Sequence, residues 1–288
     1  MKRTHGSVAR GAFAVTALVM LLGASDAFAS FKIAHWNVQS GFGKGGWAGG
    51  NAGFTPGSDC SRNAWGNGSG PLARTLVSRV KDDKAVVALT VNEAWTCATP
   101  SRIRSLLGFA AATKEVNGVA IIARHGFAGN SEVVALPKCS GGAEQRYVVR
   151  APVYTDSARS KVVQVFATHW TGCAAEGKAT VEFLQRYAYQ PRSLTGDLNV
   201  KSVSDAPIAA ITAKNWTDAW SKLHGKSGGQ TATWNNSYGS PRGNLYKRID
   251  YALFKTLKVR SISRFNHTGE PGAAKMADHA GIVVEYDD

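Results

Sequence analysis

Short apolar runs that end in polar side chains recur along this chain, and Leu194–Val200 constrains its fold most. Asp197 and Asn199 lie two residues apart within this run. If the run is a strand, side chains at positions i and i+2 point to the same face, so the carboxylate and the carboxamide emerge together. The alternative is a turn after a strand, because Gly, Asp and Asn favour turns. Polar residues beside other apolar runs favour the first interpretation, in which this stretch belongs to a site.

The other apolar runs place more polar side chains at strand ends. Asn37 lies near the end of a predicted strand at Phe31–Val38, and Glu93 follows a predicted buried strand at Ala85–Val91. A carboxylate at the tip of a buried strand is costly unless it is solvated, paired or bound to a metal ion, so Glu93 is a better functional candidate than a surface Glu. The remaining positions are His169 after Val162–Thr168, Asp250 within Arg248–Phe254, and Asp278 with His279 before Gly281–Val284.

Helical patterns alternate with the strands, which is typical of an α/β domain. Further strands are predicted at Gly118–Arg124 and Tyr147–Val153, and a long glycine-rich loop at Gly41–Gly70. The helices are predicted at Pro71–Val80, Ser101–Leu107, Ala179–Tyr189 and Ile208–Leu223, the last broken around Asn215. No internal repeat or linker divides this pattern.

Residues 1–29 have the layout of a secretory signal peptide. Lys2, Arg3 and Arg10 precede an uncharged run that ends at Ser25, which is shorter than the roughly 20 residues needed to cross a bilayer. The small residues of Ala27-Phe28-Ala29 fit a signal peptidase site. We therefore expect one domain at residues 30–288, in a protein that is secreted or periplasmic; a retained membrane anchor is the alternative.

Export changes how the cysteines are interpreted. Cys60, Cys97, Cys139 and Cys173 are even in number and all follow the leader, which predicts two disulfides. A zinc site is the rival interpretation, but no pair has the short C-x-x-C spacing, and His169 is the one histidine near any of them.

The sequence is strongly basic. Its net charge is +14, and removing a leader that contains three basic residues and one acidic residue leaves +12. This charge favours a polyanionic partner, either nucleic acid or an anionic membrane. Basic residues concentrate between Arg242 and Arg264, and Arg242, Lys247 and Arg248 are candidate substrate-binding residues next to Asp250. The alternative is that they form a solvated basic face.

Six short motifs carry a resemblance to a known family. In chain order, W-N-V-Q, N-E-A-W, T-H-W, G-D-L-N, R-I-D-Y and A-D-H resemble the endonuclease/exonuclease/phosphatase superfamily. That superfamily includes pancreatic-type deoxyribonucleases, abasic-site endonucleases, the cytolethal distending toxin nuclease and bacterial sphingomyelinases. The resemblance spans Phe31 to Tyr286 and implies a four-layered α/β sandwich of two mixed β-sheets flanked by helices, with the site at the strand ends.

The motifs also depart from the superfamily pattern. The usual L-Q-E and S-D-H read Val91-Asn92-Glu93 and Ala277-Asp278-His279. The loop after Asn37 is longer and richer in Gly, and the segment between Glu93 and Gly118 is short, so residues that contact a nucleic-acid backbone there have no match. These departures concern the substrate rather than the chemistry.

The resemblance implies a role for each motif residue in phosphoester hydrolysis. Mg²⁺, with Mn²⁺ or Ca²⁺ as alternatives, would bind the hard oxygen of Glu93, with Asn37 in support and Asp278 as a second ligand. Asp197 would orient or deprotonate the attacking water, and Asn199 would hold that water or the phosphate. The remaining implied roles are His279 as donor or base positioned by Asp250, and His169 as a donor to a phosphate oxygen. The histidines outside the motifs, His5, His35, His125, His224 and His267, are interpreted as structural.

Three functions are compatible with these residues. The first is an exported, monomeric, metal-dependent phosphodiesterase that acts on nucleic acid, for which the positive charge argues. The second is a lipid phosphodiesterase of the sphingomyelinase type, although Lys258 to Met276 contains Phe265 as its single aromatic residue, where such enzymes carry an aromatic hairpin. The third is a catalytically inactive binding module with the same fold.

Four cysteines allow three disulfide pairings. We favour Cys60 with Cys97 and Cys139 with Cys173, because both bridges would brace loops that carry motifs. The second bridge also resembles one in sphingomyelinases.

Overall fold

The computed structural model describes residues 30–38, 65–95, 97–140, 144–225, 247–265 and 279–287. Within these ranges the chain forms twelve β-strands and five α-helices. The strands are β1 (Phe31–Asn37), β2 (Val86–Asn92), β3 (Ala111–Ala112), β4 (Ala120–Ala123), β5 (Glu132–Ala135), β6 (Tyr147–Tyr154), β7 (Val162–His169), β8 (Arg192–Asp197), β9 (Thr217–Asp218), β10 (Asp250–Lys255), β11 (Lys258–Phe265) and β12 (Gly281–Asp287). The helices are α1 (Pro71–Leu76), which continues as a π-helix at Val77–Lys81, α2 (Pro100–Leu107), α3 (Ala174–Gln185), α4 (Ala206–Thr212) and α5 (Ala219–His224).

The strands form two mixed sheets of six strands each. The first sheet has the order β11-β12-β1-β2-β4-β3 and the second has the order β5-β6-β7-β8-β10-β9. Strands β1 and β2 are parallel in the first sheet, β7 and β8 are parallel in the second, and the other described pairs are antiparallel. Each sheet therefore has, near its centre, two parallel strands whose carboxyl ends lie side by side.

Three apolar clusters separate four layers, which confirms the predicted sandwich. One cluster packs α1 and α2 against the first sheet, with Leu72, Leu76 and Ile103 fully buried. A second lies between the two sheets, and a third packs α3 and α4 against the second sheet. Each sheet thus has one face covered by helices and the other covered by its partner sheet.

The Leu194–Val200 strand prediction was wrong at its carboxyl end. Strand β8 ends at Asp197, and Asn199 follows in a left-handed backbone conformation (φ 51°). The backbone N–H of Asn199 donates to Asp197 Oδ1 (3.0 Å). This local hydrogen bond takes the place of the backbone hydrogen bonds of a sheet. The residues after Asp197 therefore form a turn, which was the alternative interpretation of this stretch.

The helix predictions differ from the structure over residues 208–223 and at both ends of α3, which ends at Gln185 rather than at Tyr189. Helix α3 begins five residues earlier than expected because Glu176 binds the backbone N–H groups of Thr171, Gly172 and Cys173 at its amino end. Residues 208–223 form two helices with the short strand β9 between them. Strands β5 and β11 were not predicted, since their exposed faces break the apolar pattern.

The predicted disulfide between Cys139 and Cys173 is confirmed. It joins the segment after β5 to the residue before α3. Cys97 is also disulfide-bonded, and its predicted partner Cys60 lies outside the described residues.

Other predictions also concern residues that the structure does not describe: the leader, most of the Gly41–Gly70 loop, Arg242 and Asp278. In the part of the chain that is described, no helix has the length and apolar character required to span a membrane.

Candidate active site

Strand register brings the predicted site residues together at one edge of the two sheets. Asn37 pairs with Asn92 at the carboxyl ends of the parallel strands β1 and β2, and His169 pairs with Asp197 at the ends of β7 and β8. Asp250 starts the antiparallel strand β10 directly opposite Asp197. Because the two sheets pack face to face, these ends converge on one polar cluster.

His279 and Asp250 form the shortest of the contacts between charged groups in this cluster. His279 Nδ1 lies 2.8 Å from Asp250 Oδ2, and both side chains are buried. The contact required by the predicted pairing of these residues is therefore present. Burial by itself would raise the pKa of Asp250, but His279 and His35 outweigh it and hold that pKa well below its usual range. Asp250 is therefore an ionised acceptor.

His35, which sequence reasoning treated as structural, is the second partner of Asp250. Its Nε2 lies 3.1 Å from Asp250 Oδ1, and its Nδ1 lies 3.0 Å from Thr90 Oγ1. Thr90 Oγ1 in turn lies 2.6 Å from Thr195 Oγ1 in the second sheet. His35 is two residues before Asn37 on β1, so the two-residue period of a strand was the signal that could have found it.

Asp197 is a buried acceptor at the centre of the cluster. Its Oδ2 accepts a hydrogen bond from Asn37 Nδ2 (3.1 Å) and lies 3.5 Å from His169 Nε2 and 3.6 Å from His279 Nε2. Burial raises the pKa of Asp197 to about 8; His279 opposes this rise, and the charges of Asp250 and Glu93 add to it. The carboxyl group can therefore exchange a proton near neutral pH.

Asn199 lies at the edge of the site rather than beside Asp197 on a strand face. Its side chain is exposed, and Nδ2 donates to the backbone oxygen of Trp170 (2.8 Å). The carboxamide thus ties the segment after β8 to the segment after β7.

His169 has a partner that sequence reasoning missed. Arg146, the residue before the neighbouring strand β6, has its Nη1 atom 3.2 Å from His169 Nδ1. Burial, followed by the charges of Arg146 and His279, lowers the pKa of His169 well below its usual value. No local sequence pattern indicated this contact, because it depends on how β6 and β7 pair.

Glu93 follows β2 in a strained backbone conformation. Its φ is 53°, which is uncommon for a residue with a side chain and recurs at functional sites. A Cβ atom on Gly118 would lie 2.9 Å from the Glu93 Cα, so glycine is needed where the two segments meet. Asn37 Nδ2 donates to Glu93 Oε1 (3.0 Å), which links Glu93 to the rest of the cluster.

The donor set fits a hard divalent cation. Glu93 and Asp197 present carboxylate oxygens on either side of the Asn37 carboxamide, and oxygen ligands are what Mg²⁺ and Ca²⁺ prefer. Burial, and after it the charges of Asp250 and Glu93, raise the pKa of Asp197, and a cation would favour the charged form of this carboxylate. Asp197, Asp250 and His279 also offer ligand atoms within 4.8 Å of one another and could hold an ion. Because two histidines already engage Asp250, Glu93 with Asn37 is the better metal position.

Of the predicted substrate-binding residues, Lys247 and Arg248 precede β10, and Arg242 lies outside the described residues. Arg248 Nη1 donates to both carboxylate oxygens of Asp218 (3.0 and 2.8 Å), and its guanidinium stacks over the ring of Tyr251. Arg248 therefore braces β10 against α5. Lys247 and Arg248 also line a cavity of about 960 Å³ together with Lys201 and Lys222.

An α/β sandwich with acidic and imidazole groups at the converging strand ends of two sheets defines a class of hydrolytic enzyme. The sequence profile of the Endonuclease/Exonuclease/phosphatase family matches residues 34–279. The chain therefore belongs to this family, whose enzymes hydrolyse phosphoester bonds, and the resemblance stated from the motifs is confirmed. No curated protein sequence matches the chain.

Solved structures show the same fold at low sequence identity. An endonuclease/exonuclease/phosphatase family protein from Bacteroides thetaiotaomicron is 16% identical, with a TM-score of 0.62 over 89% of this chain and 97% of that chain. The D. rerio TDP2 structure in complex with single-strand DNA product is 14% identical, with a TM-score of 0.59 over 90% of this chain and 99% of that chain. A mannosyl-6-phosphatase from B. thetaiotaomicron is 16% identical, with a TM-score of 0.61 over 89% of this chain and 99% of that chain.

Proposed function

We propose that this protein is an exported, divalent-metal-dependent phosphodiesterase that hydrolyses nucleic acid. The observation that carries the proposal is the buried Asp250–His279 contact of 2.8 Å beside Asp197, with the Glu93 carboxylate across the Asn37 amide. Together these groups can accept a proton from water, hold a protonated imidazole and attract a cation.

Each residue has a chemical task in this proposal. Asp197 accepts a proton from the attacking water, and a pKa of about 8 suits a base that works near neutral pH. Asp250 orients the His279 ring so that Nε2 faces the phosphoryl group. Glu93, Asn37 and Asp278 would hold Mg²⁺ or a similar ion, which when bound neutralises charge on the phosphoryl oxygens.

Charge supports nucleic acid as the substrate. The net charge of +12 that remains without the leader favours polyanions, and Lys201, Lys222 and Lys247 line one cavity together with the Arg248–Asp218 ion pair. Cationic side chains that neutralise phosphates release counterions, so binding should weaken steeply as salt rises. The TDP2 relative holds a single-strand DNA product. Export is supported by the leader pattern and by the disulfide between Cys139 and Cys173.

The test compares substrates with one preparation of the mature chain. Purified protein is incubated at low salt with supercoiled plasmid and single-stranded DNA or RNA, with Mg²⁺, Mn²⁺ or Ca²⁺, and with chelator. We expect metal-dependent cleavage that chelator and Asp197→Ala abolish. Absence of cleavage with every metal, or cleavage that survives Asp197→Ala unchanged, overturns the proposal.

Parallel reactions distinguish the other members of the superfamily. Phosphocholine release from sphingomyelin vesicles at a higher rate than nucleic-acid cleavage would identify a lipid phosphodiesterase. Phosphate release from sugar phosphates as the fastest reaction would identify a phosphatase. Binding of nucleic acid without turnover of any of these substrates would identify a binding module.

A further inference from the structure

The two histidines that face Asp197 have opposite partners at Nδ1. His279 Nδ1 faces a carboxylate oxygen of Asp250 at 2.8 Å, whereas His169 Nδ1 faces a guanidinium nitrogen of Arg146 at 3.2 Å. A carboxylate can only accept a hydrogen bond, and a guanidinium can only donate one. His279 Nδ1 therefore carries a proton, and His169 Nδ1 does not.

We propose that Arg146 is a positioning residue that fixes His169 as the neutral tautomer with its proton on Nε2. His169 then serves as a fixed hydrogen-bond donor to a phosphoryl oxygen and does not shuttle a proton. This inference rests on the proposed function for the identity of the acceptor, whereas the tautomer itself follows from the contacts of His169 alone.

The surroundings of Arg146 support this role. Its side chain is largely buried, and its other described ionic contact is with Glu144 at 3.8 Å, where the Glu144 side chain is 58% exposed. An ion pair of that length to an exposed partner contributes little. The contact with His169 is thus the principal polar interaction of this guanidinium among the described residues.

The geometry at the other ring nitrogen shows where the proton points. His169 Nε2 lies 3.5 Å from Asp197 Oδ2, which is longer than an ordinary N–H···O hydrogen bond of about 2.7–3.2 Å. A phosphoryl oxygen bound beside Asp197 would offer this N–H a better acceptor. The lowered pKa of His169 agrees with a neutral ring.

The direct test is the protonation of the His169 ring in the wild-type mature protein. Protein labelled with ¹⁵N-histidine is measured in metal-free buffer near pH 7.5, and two-bond ¹H–¹⁵N correlations show which ring nitrogen carries the proton. The spectrum of His169→Gln identifies the His169 signals by their absence. We expect a bare Nδ1 and a protonated Nε2. A proton on His169 Nδ1, as the other tautomer or as imidazolium, overturns the inference whether or not the protein cleaves nucleic acid.

Two Arg146 variants separate hydrogen bonding from charge. Arg146→Lys keeps a cationic donor and should keep the tautomer and the activity within about tenfold. Arg146→Glu supplies an acceptor, so the proton should move to Nδ1 and kcat should fall about 10²–10³-fold, the effect of losing one well-placed donor. Lys138→Glu is the matched control, because it makes the same charge change on a nearby exposed side chain.

A double variant asks whether Arg146 acts through His169. In a His169→Gln background, Arg146→Glu should lower kcat no further, since the ring that it positions is gone. If the fold-losses in kcat of the two single variants multiply in the double variant, Arg146 acts independently of His169 and the inference is overturned.

Discussion

Asp250→Asn tests the architecture of the site most directly. The buried carboxylate of Asp250 accepts hydrogen bonds from His279 Nδ1 (2.8 Å) and His35 Nε2 (3.1 Å). A carboxamide has one acceptor oxygen, and its NH₂ group would face the second imidazole as donor against donor. Whichever way the amide turns, one of the two histidines loses its partner or must change tautomer.

The expected loss of activity is larger than the expected loss of stability. One charge-assisted hydrogen bond contributes about 1.5–3 kcal/mol to folding stability, whereas the total free energy of unfolding of an ordinary domain is about 5–15 kcal/mol. A domain left with about 2 kcal/mol is still roughly 97% folded at 25 °C. The same substitution in the Ser-His-Asp triad lowers kcat about 10⁴-fold because the histidine takes the wrong tautomer. We therefore expect kcat to fall about 10³–10⁴-fold, which corresponds to about 4–5.4 kcal/mol.

The assay measures steady-state cleavage and urea unfolding on the same samples. Glu176→Gln is the matched control, because Glu176 is a fully buried carboxylate that binds backbone N–H groups and does not touch the cluster. It should lose a similar amount of stability and keep its activity within a few-fold. If Asp250→Asn retains a tenth or more of the wild-type kcat with a native fold, the carboxylate does not hold His279 for catalysis.

Three further predictions concern other parts of the site and fold. His35→Leu removes one hydrogen-bond donor to Asp250 and should lower kcat about 10–100-fold. His35→Gln keeps a donor near the Nε2 position and should recover most of that loss. Equal kcat values for the two variants would contradict the role of His35 as a donor to Asp250. In chelator, the unfolding free energy should fall by about 1–2 kcal/mol between pH 6.5 and 8, because the raised pKa of Asp197 stabilises the fold at low pH and that contribution is lost as pH rises through about 8. The lowered pKa of His169 has the opposite effect on the unfolding free energy, but this effect is largely complete near the ordinary histidine pKa of 6.5. Urea titrations above pH 6.5 therefore report on Asp197. Asp197→Asn should reduce the slope of the unfolding free energy against pH. Replacing Cys139 and Cys173 by serine opens a loop of 34 residues and should lower the unfolding free energy by about 3–4 kcal/mol; an unchanged urea midpoint would contradict this.

The strands and the residues at their ends were predictable because their signals are local. Val162–His169 and Val86–Asn92 are largely apolar runs rich in β-branched residues, and each is followed or ended by a polar group that would be costly inside a sheet. Parallel pairing then brings the ends of such strands together without further information. This explains why the order of polar residues along the chain indicated the site before any contact was known.

The missed residues depend on contacts between strands that are distant in sequence. His35 contacts Asp250 across 215 residues of sequence, and Arg146 meets His169 because β6 pairs with β7. The strand period could have placed His35 on the same face as Asn37, but it could not indicate Asp250 as its partner, and a lone arginine has no local signature for its partner. Asn199 was misplaced for a local reason, since the bond from its own N–H to Asp197 ends the strand where an alternating pattern would continue it.

A line of polar contacts between the sheets explains why these distant residues meet in one geometry. Ser193, Thr195 and Asp197 alternate along one face of β8 and contact Tyr286 (3.0 Å), Thr90 (2.6 Å) and Asn37 (3.1 Å) of the first sheet. If one sheet slid past the other by a residue pair, buried hydroxyl groups would lose their partners at about 1–3 kcal/mol each. Apolar side chains tolerate repacking of similar volume at a lower cost. The polar line therefore fixes the alignment of the sheets more strictly than the apolar cluster around it, and the site at the end of this line depends on that alignment.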